Sequence, residues 1–263
     1  MKIKIGELFG GTSKEREISF AGGRTVYDNL NKSLFEPVAI FVDSFGNFIK
    51  LKWEYIYKGS IRDFYPPVDF VPDSKGEFQV YAENLGKLSV GQQDDLLEKI
   101  GRKIYPSELK SLLDFAFLCL HGPFGEDGRI QGFLEYCGIP YSGSGIFASA
   151  LGMNKALQKK LMHDAGFASP NFLAVSKDKV LQANIVSKIY NEVKSEIGFP
   201  CVVKPANQGS SIGVSILESA SDNQFRDALL NSFFIKEIKK DYWDKSSHSE
   251  KTECIRIIFL NFF

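Results

Sequence analysis

One stretch restricts the fold of this chain more than any other: Gly198 to Ser215, Gly-Phe-Pro-Cys-Val-Val-Lys-Pro-Ala-Asn-Gln-Gly-Ser-Ser-Ile-Gly-Val-Ser. Cys201 to Val203 is a short apolar run and Ile212 to Ile216 is β-branched, so the pattern predicts strand, loop, strand. Lys204 and a loop of small residues lie between them. Gly209 and Gly213 permit close backbone approach, and Ser210 and Ser211 supply hydroxyls. Successive backbone N–H groups beside a lysine charge form an anion-binding nest, which suits a polyphosphate. An ordinary hairpin with a polar turn is the plain alternative, because glycine-serine loops are common in turns. Against it stand the lysine at the loop entrance and a second lysine, Lys155, that opens an earlier helix. No Gly-Lys-Ser/Thr pair follows the glycines and a strand comes next, so this is not a Walker loop. Phosphate binding under a β-hairpin lid is the resulting expectation.

The remaining sequence narrows the setting. A chain of 263 residues has room for two modest domains, and 44% hydrophobic with 24% charged residues is ordinary for a globular protein. The 32 basic residues balance 32 acidic ones and form no stripe with aromatics, which argues against a nucleic-acid partner. The start lacks the long apolar core of a signal peptide, and the longest clean apolar run, Phe115 to Leu120, is far too short to span a membrane. A cytoplasmic protein without a membrane partner is expected. Cys119, Cys137, Cys201 and Cys254 are widely spaced and read as buried thiols, and the three histidines have no metal-ligand spacing.

In chain order, Ile3 to Phe9 reads as a strand that ends in Gly10-Gly11-Thr12-Ser13 and feeds a helix from about Lys14 to Leu30. A strand, a glycine loop and a helix N-terminus form the usual ligand edge of a parallel sheet. Glu15 and Glu17 fall in the first helical turn, where favourable placement on the helix dipole is the plain reading. Glu7 is out of place, because an interior parallel strand is apolar on both faces. Phe35 to Val42 is a second strand, and Phe48 to about Leu88 reads as short strands and excursions. Leu96 to Ile100 and Glu108 to Leu113 read as helical, and Phe115 to Leu120 as a buried strand.

After that strand comes His121-Gly122-Pro123-Phe124-Gly125-Glu126-Asp127-Gly128 and a helix from Arg129 to Cys137, so this loop shares a sheet edge with Gly10 to Glu15. The plain readings are a structural hydrogen bond for His121 and helix capping for Glu126 and Asp127. Ile139 to Ser142 is read as a short strand, and Gly143 to Ala148 as a domain junction that only superficially matches a dinucleotide fingerprint. Beyond it are a helix from Met153 to Ala165, a strand from Phe172 to Val175, and a helix from Lys179 to Glu196. Ser221-Asp222-Asn223-Gln224 is a capping box that opens a helix to about Phe233.

Five ordered motifs now stand together: Leu-Phe-Gly-Gly-Thr-Ser-Lys-Glu-Arg-Glu-Ile-Ser at 8 to 19, His-Gly-Pro-Phe-Gly-Glu-Asp-Gly at 121 to 128, Pro-Tyr-Ser-Gly-Ser-Gly at 140 to 145, Met-Asn-Lys at 153 to 155, and Val-Lys-Pro-Ala-Asn-Gln-Gly-Ser-Ser-Ile-Gly-Val at 203 to 214. Over residues 1 to about 233 the chain resembles the D-alanine:D-alanine ligases of the ATP-grasp superfamily. The resemblance implies an α/β fold: an N-terminal Rossmann-like parallel-sheet domain at 1–143 that binds substrate, and a small α+β ATP-grasp lobe at 144–233. It implies ATP-dependent joining of two D-alanines through an acyl phosphate, for peptidoglycan and cell-wall synthesis. By motif, Lys155 and Lys204 would bind the ATP phosphates under a lid containing Gly209, Ser210 and Ser211. Glu15 would hold the ammonium of the first D-alanine with help from Ser210, and His121 would lie near the reacting carboxyl group. Cationic groups are needed because negative charge accumulates on the transferring phosphoryl. Asn154 stands where an Asp is common. A homodimer is a further implication.

The chain departs from the family at residues 234–263, which carry no recognisable motif. The complete family enzyme would continue with an adenine-gripping strand and a lobe that holds magnesium, whose ligands are not found here. A frameshift or truncation is the expectation, and with it a chain inactive by itself. Two other readings stay open: a non-catalytic remnant, and another ATP-grasp carboxylate-amine ligase. The second substrate could be D-alanine, D-lactate or D-serine. Asp241 to Lys251 is polar, with neither strand alternation nor a helical apolar stripe, and the closing Ile-Ile-Phe-Leu run is β-prone. Limited proteolysis is therefore expected to cut within Lys239 to Lys251 before it cuts Ile3 to Leu30; the reverse order would show that the tail has a real packing surface.

Overall fold

The computed structural model describes residues 2–65, 89–182, 185–251 and 254. The chain divides into two compact units, Met1–Gly152 and Met153–Phe263.

The first unit is a five-stranded sheet with helices on both faces. β1 (Ile3–Gly10) leads into α1 (Arg16–Asn29), then β2 (Phe35–Val42) and β3 (Phe48–Leu51). Two 3-10 turns, Trp53–Tyr57 and Ile61–Asp63, precede the undescribed stretch, which takes in most of the excursion read at Phe48 to Leu88. α2 (Val90–Ile100), β4 (Gly101–Ile104), α3 (Leu109–Leu112), β5 (Phe115–Leu118), α4 (Arg129–Tyr136) and α5 (Ile146–Met153) follow. The strand order is β4-β3-β2-β1-β5. β1 pairs in parallel with β2, from Ile3↔Phe35 to Gly10↔Val42, and with β5, from Ile5↔Phe115 to Leu8↔Leu118. β3 and β4 extend the sheet antiparallel, so the expected parallel core carries an antiparallel edge.

β1 is buried on both faces because its side chains alternate between two cores. Leu8 joins Ile40, Leu109, Leu113 and Leu134, while Phe9 joins Phe20, Phe41, Ile49 and Leu97. Burying each such side chain contributes roughly 1.5–3 kcal/mol. The strand expected at Ile139 to Ser142 is reduced to a single bridge, Ala116↔Tyr141, because only Tyr141 comes into ladder register with β5. The junction read at Gly143 to Ala148 runs into α5 from Ile146, an apolar helix with no buried residue, whose missing polar face conceals it from periodicity analysis.

In the second unit, α6 (Lys155–Asp164), α7 (Lys177–Val180) and α8 (Ile185–Glu196) precede an antiparallel hairpin of β6 (Cys201–Val203) and β7 (Ser215–Leu217), then α9 (Asp222–Ser232) and α10 (Lys240–Lys245). α8 and α9 cover one face of the hairpin with Val186, Ile189, Val193, Phe225 and Leu229. The opposite face leaves the cross-strand pair Val202 and Ile216 54% and 71% exposed. The capping box at Ser221 forms as read: the hydroxyl accepts from Gln224 N while Gln224 Oε1 accepts from Ser221 N.

The helix expected from Met153 to Ala165 is interrupted at Asn154, whose extended backbone (φ −94°, ψ 94°) caps α6. Phe172 to Val175 forms no strand, since among the described residues no neighbouring strand supplies a ladder for its backbone groups. The second hairpin strand starts at Ser215, because turn bonds from Ile212 N to Gly209 O and Val214 N to Ser211 O occupy the residues before it. In the tail, α10 forms without a buried residue, and an ion pair between Arg226 and Glu237 ties the segment before it to α9. The four cysteines are free thiols, but only Cys119 is buried as read, Cys137, Cys201 and Cys254 being partly exposed; the closing Ile-Ile-Phe-Leu run lies outside the described residues.

Glu7 is the anomaly of β1. It is 0% exposed, and neither carboxyl oxygen has a hydrogen-bond partner. Burial pushes its pKa up to about 8, partly offset by Lys32 and reinforced by Asp28. Between the unfolded value of 4.5 and about 8 the folded unit keeps a proton that the unfolded chain has lost. Stability therefore falls with rising pH across that window, by about 1.4 kcal/mol per pH unit, and this contribution is level outside it. Glu7→Gln should flatten the slope and gain stability at pH 8, as read from urea midpoints between pH 4 and 9; parallel profiles for both proteins would contradict it.

Candidate functional site

The first cluster lies at the carboxyl ends of β1 and β5, where parallel pairing sets two loops side by side. Glu15 is the N-cap residue of α1, and its backbone N–H donates to Ser13 Oγ at 3.0 Å. Ser19 Oγ accepts from Gly10 N at 2.8 Å, which fixes the start of the helix against the end of the strand. From the other loop, Gly122 (φ +69°) closes on both residues. A Cβ built there would fall 2.4 Å from Glu15 Oε2 and 2.5 Å from Ser13 Oγ.

Glu126 holds that loop in shape. Its Oε2 accepts from Gly122 N at 2.7 Å, and its Oε1 lies 3.8 Å from His121 Nδ1. Glu126 is therefore not the helix cap read from the sequence; it braces the turn that carries His121. Asp127 accepts from Phe124 N at 3.0 Å and Arg129 N at 3.3 Å, and Gln131 Nε2 donates to Gly125 O at 2.9 Å. Ser13, Gly122 and Glu126 were missed as site residues; the five-residue spacing from His121 to Glu126 inside one glycine-rich loop was the available signal.

The second cluster belongs to the second unit. A cavity of about 630 Å³ is lined by Lys155 and Lys204 together with an apolar wall that includes Phe172, Val203, Leu229 and Phe233. That volume falls in the range of small-molecule and cofactor sites. Lys155 is tied to the glycine-serine loop twice: its N–H donates to Ala206 O at 2.8 Å and its Nζ to Gln208 O at 2.5 Å. Asn154 Oδ1 accepts from Leu157 N at 3.1 Å, so the amide oxygen does the capping work an Asp would do there. Lys204 is exposed at the end of β6.

Ser210 (φ 47°) and Ser211 (φ 60°) both adopt the left-handed conformation, rare for residues with a Cβ and doubly so in sequence. Both are exposed, and neither they nor Gly209 line the cavity. Lys155 and Lys204 thus share one cavity, whereas the loop residues stand beside it. Among the described residues, no group of three or more His, Cys, Asp or Glu side chains is placed to hold a metal ion.

The family model for the D-ala D-ala ligase N-terminus matches residues 4–144, and that for the D-ala D-ala ligase C-terminus matches residues 161–237. The chain belongs to the D-alanine:D-alanine ligase family. It is 32% identical over 221 residues to the D-alanine:D-alanine ligase of Natranaerobius thermophilus, covering 84% of this chain and 54% of that protein. With the enzyme of Caldicellulosiruptor bescii it shares 34% identity over 84% of this chain and 55% of the other. The chain therefore spans about half the length of these ligases. In fold it is similar to the VanG D-Ala:D-Ser ligase of Enterococcus faecalis, with a TM-score of 0.62 and 24% identity over 89% of this chain and 60% of that one. The C-terminal match of the ligase family runs to residue 237 and so takes in Phe234 and Glu237.

Gly122→Ala should cost the first unit about 1–3 kcal/mol, because a methyl group there meets Glu15 and Ser13 as well as an unfavourable φ. Gly138→Ala is the control, with φ +66° and nothing within 4 Å of its Cβ position. Equal losses in urea unfolding for the two variants would show that Glu15 does not press on this turn.

Proposed function

We propose that this chain carries the D-alanine-binding and nucleotide-binding parts of a D-alanine:D-alanine ligase, joining D-alanines through an acyl phosphate made with ATP. Beyond family membership, the observation that supports this most is the convergence of Lys155 and Lys204 on one cavity of about 630 Å³. Two cations on a partly apolar cavity suit a nucleotide: the wall takes the base, and the ammonium groups take the phosphates.

On this reading each residue has a stated task. Lys204 and Lys155 neutralise phosphate oxygens and so stabilise charge that grows on the transferring phosphoryl. Lys155 must exchange its bond to the Gln208 carbonyl for a phosphate oxygen, which couples nucleotide arrival to the loop. Ser210 and Ser211 cover the phosphates with backbone N–H groups turned by their left-handed conformation. Glu15 accepts the ammonium of the first D-alanine, its carboxylate held against Gly122. His121, braced by Glu126, faces the carboxyl group to be activated. Magnesium would shield the phosphates in the complete enzyme. Among the described residues no three-ligand group is placed to hold it. The reading also carries a cytoplasmic location and a role in peptidoglycan synthesis.

Calorimetric titration with a non-hydrolysable ATP analogue tests the nucleotide half. Lys204→Gln should weaken binding by about 10- to 100-fold, the usual worth of a charge-assisted contact, with the melting temperature unchanged because Lys204 is exposed. Glu15→Gln should leave that affinity intact and weaken D-alanine binding. Failure of the unaltered chain to bind the analogue at millimolar concentration would overturn the reading.

A further inference from the structure

The C-terminal end of α9 carries a helix cap with an unexpected residue in it. Phe234 N donates to Asn231 O at 3.0 Å and Ile235 N donates to Leu230 O at 2.9 Å, the paired bonds of a Schellman motif. The motif is completed by Ile235, which packs against the cluster that contains Leu230. Its left-handed position is usually glycine, since a Cβ is disfavoured there. Here it is Phe234, at φ 56°. Helix termination alone does not account for a phenylalanine, because glycine would end α9 at lower conformational cost.

The ring has a contact that glycine could not make. Gly213, in the glycine-serine loop, sits between Pro205 and Phe234: a Cβ built on it would fall 2.9 Å from Pro205 Cγ and 3.3 Å from Phe234 Cε1 and Cζ. The loop is thus gripped at its far end by Pro205 and the Phe234 ring, and at its near end by Lys155 through Ala206 and Gln208. Between the grips lie Ser210 and Ser211, whose left-handed backbones persist only if their surroundings hold them.

We propose that Phe234 is a positioning residue: its ring, carried in a strained helix cap, clamps Gly213 and holds the Gly209–Gly213 loop in its phosphate-covering geometry. The proposal rests on the nucleotide reading given above. The clamp sets how much loop ordering remains to be done when nucleotide arrives, and so acts on affinity through preorganisation. Cap and clamp make opposite demands on residue 234, since the cap favours glycine and the clamp requires a ring.

Phe234→Gly separates the two. It should unfold at the same or a higher temperature than the parent. Amide hydrogen exchange at Ile212 and Val214, which donate to Gly209 O and Ser211 O, should become about tenfold faster with exchange in β6 unchanged. Affinity for adenylyl imidodiphosphate should fall about tenfold, while Phe234→Tyr keeps both loop protection and affinity. A purely structural Phe234 would move the unfolding temperature and leave loop exchange untouched, which would overturn the proposal. If the parent chain fails to bind the analogue but Phe234→Gly still accelerates loop exchange, the clamp stands and the nucleotide reading falls. Equal exchange and equal affinity in Phe234→Gly and the parent would leave the reading intact and remove the clamp.

Discussion

The parallel pairing of β1 with both β2 and β5 is the constraint from which the geometry of the first unit follows. Parallel neighbours have their carboxyl ends at one edge, so whatever loops leave β1 and β5 must meet there. The sequence places Ser13 and Glu15 after one strand and His121 to Asp127 after the other. Contact between Gly122 and Glu15 is then a consequence of sheet register, and it needs no cooperation from residues far from the edge. Register in turn is fixed by burial. Leu8 and Phe9 point into different cores, so a slip of one residue would exchange them and leave both cores mispacked.

That same burial makes Glu7 costly and explains why it is neutral. Among the described residues neither oxygen of this carboxyl has a hydrogen-bond partner, and in a strand covered on both faces its ionisation strands a charge in the core, so it keeps its proton up to about pH 8. The protonated form is what the fold accommodates. Once Glu7 ionises, above about pH 8, its charge adds to desolvation in raising the pKa values of Tyr27 on α1 and of the Cys119 thiol after β5.

Much of the first unit was legible because its signals are local and strong. β1, α1, β2, β5 and α4 follow from apolar runs that end in glycine loops, and the Ser221 capping box fixes the start of α9. What escaped had no local signature. α5 is apolar all round, so periodicity could not reveal it, and Phe172 to Val175 has strand-like composition but no partner strand among the described residues. At the candidate site, the lysines and the glycine-serine loop announce themselves by residue type. The role of Gly122 depends on a contact between loops more than a hundred residues apart, which spacing cannot supply, whereas Glu126 braces its own loop from four residues away. Phe234 escaped for a different reason: a phenylalanine after a helix looks like core until its φ is known.

The second unit sets a harder problem than the first, since it must hold a strained loop on a small scaffold. A two-stranded hairpin has little stability of its own, and β6 and β7 contribute only three residues each. One face is anchored by α8 and α9 through Phe225 and Leu229, but the other exposes Val202 and Ile216 and offers the loop no support. Two consecutive left-handed serines cannot be kept in place from the hairpin side alone. The flanking helices supply the support that the hairpin lacks. Each grip on the loop includes a residue from a helix end: Lys155 from the start of α6 and, opposite Pro205, Phe234 from the end of α9. Helix ends are well suited to this, because the backbone that leaves them is already fixed by the cap. A side chain placed there inherits that fixed position, and the loop inherits it in turn.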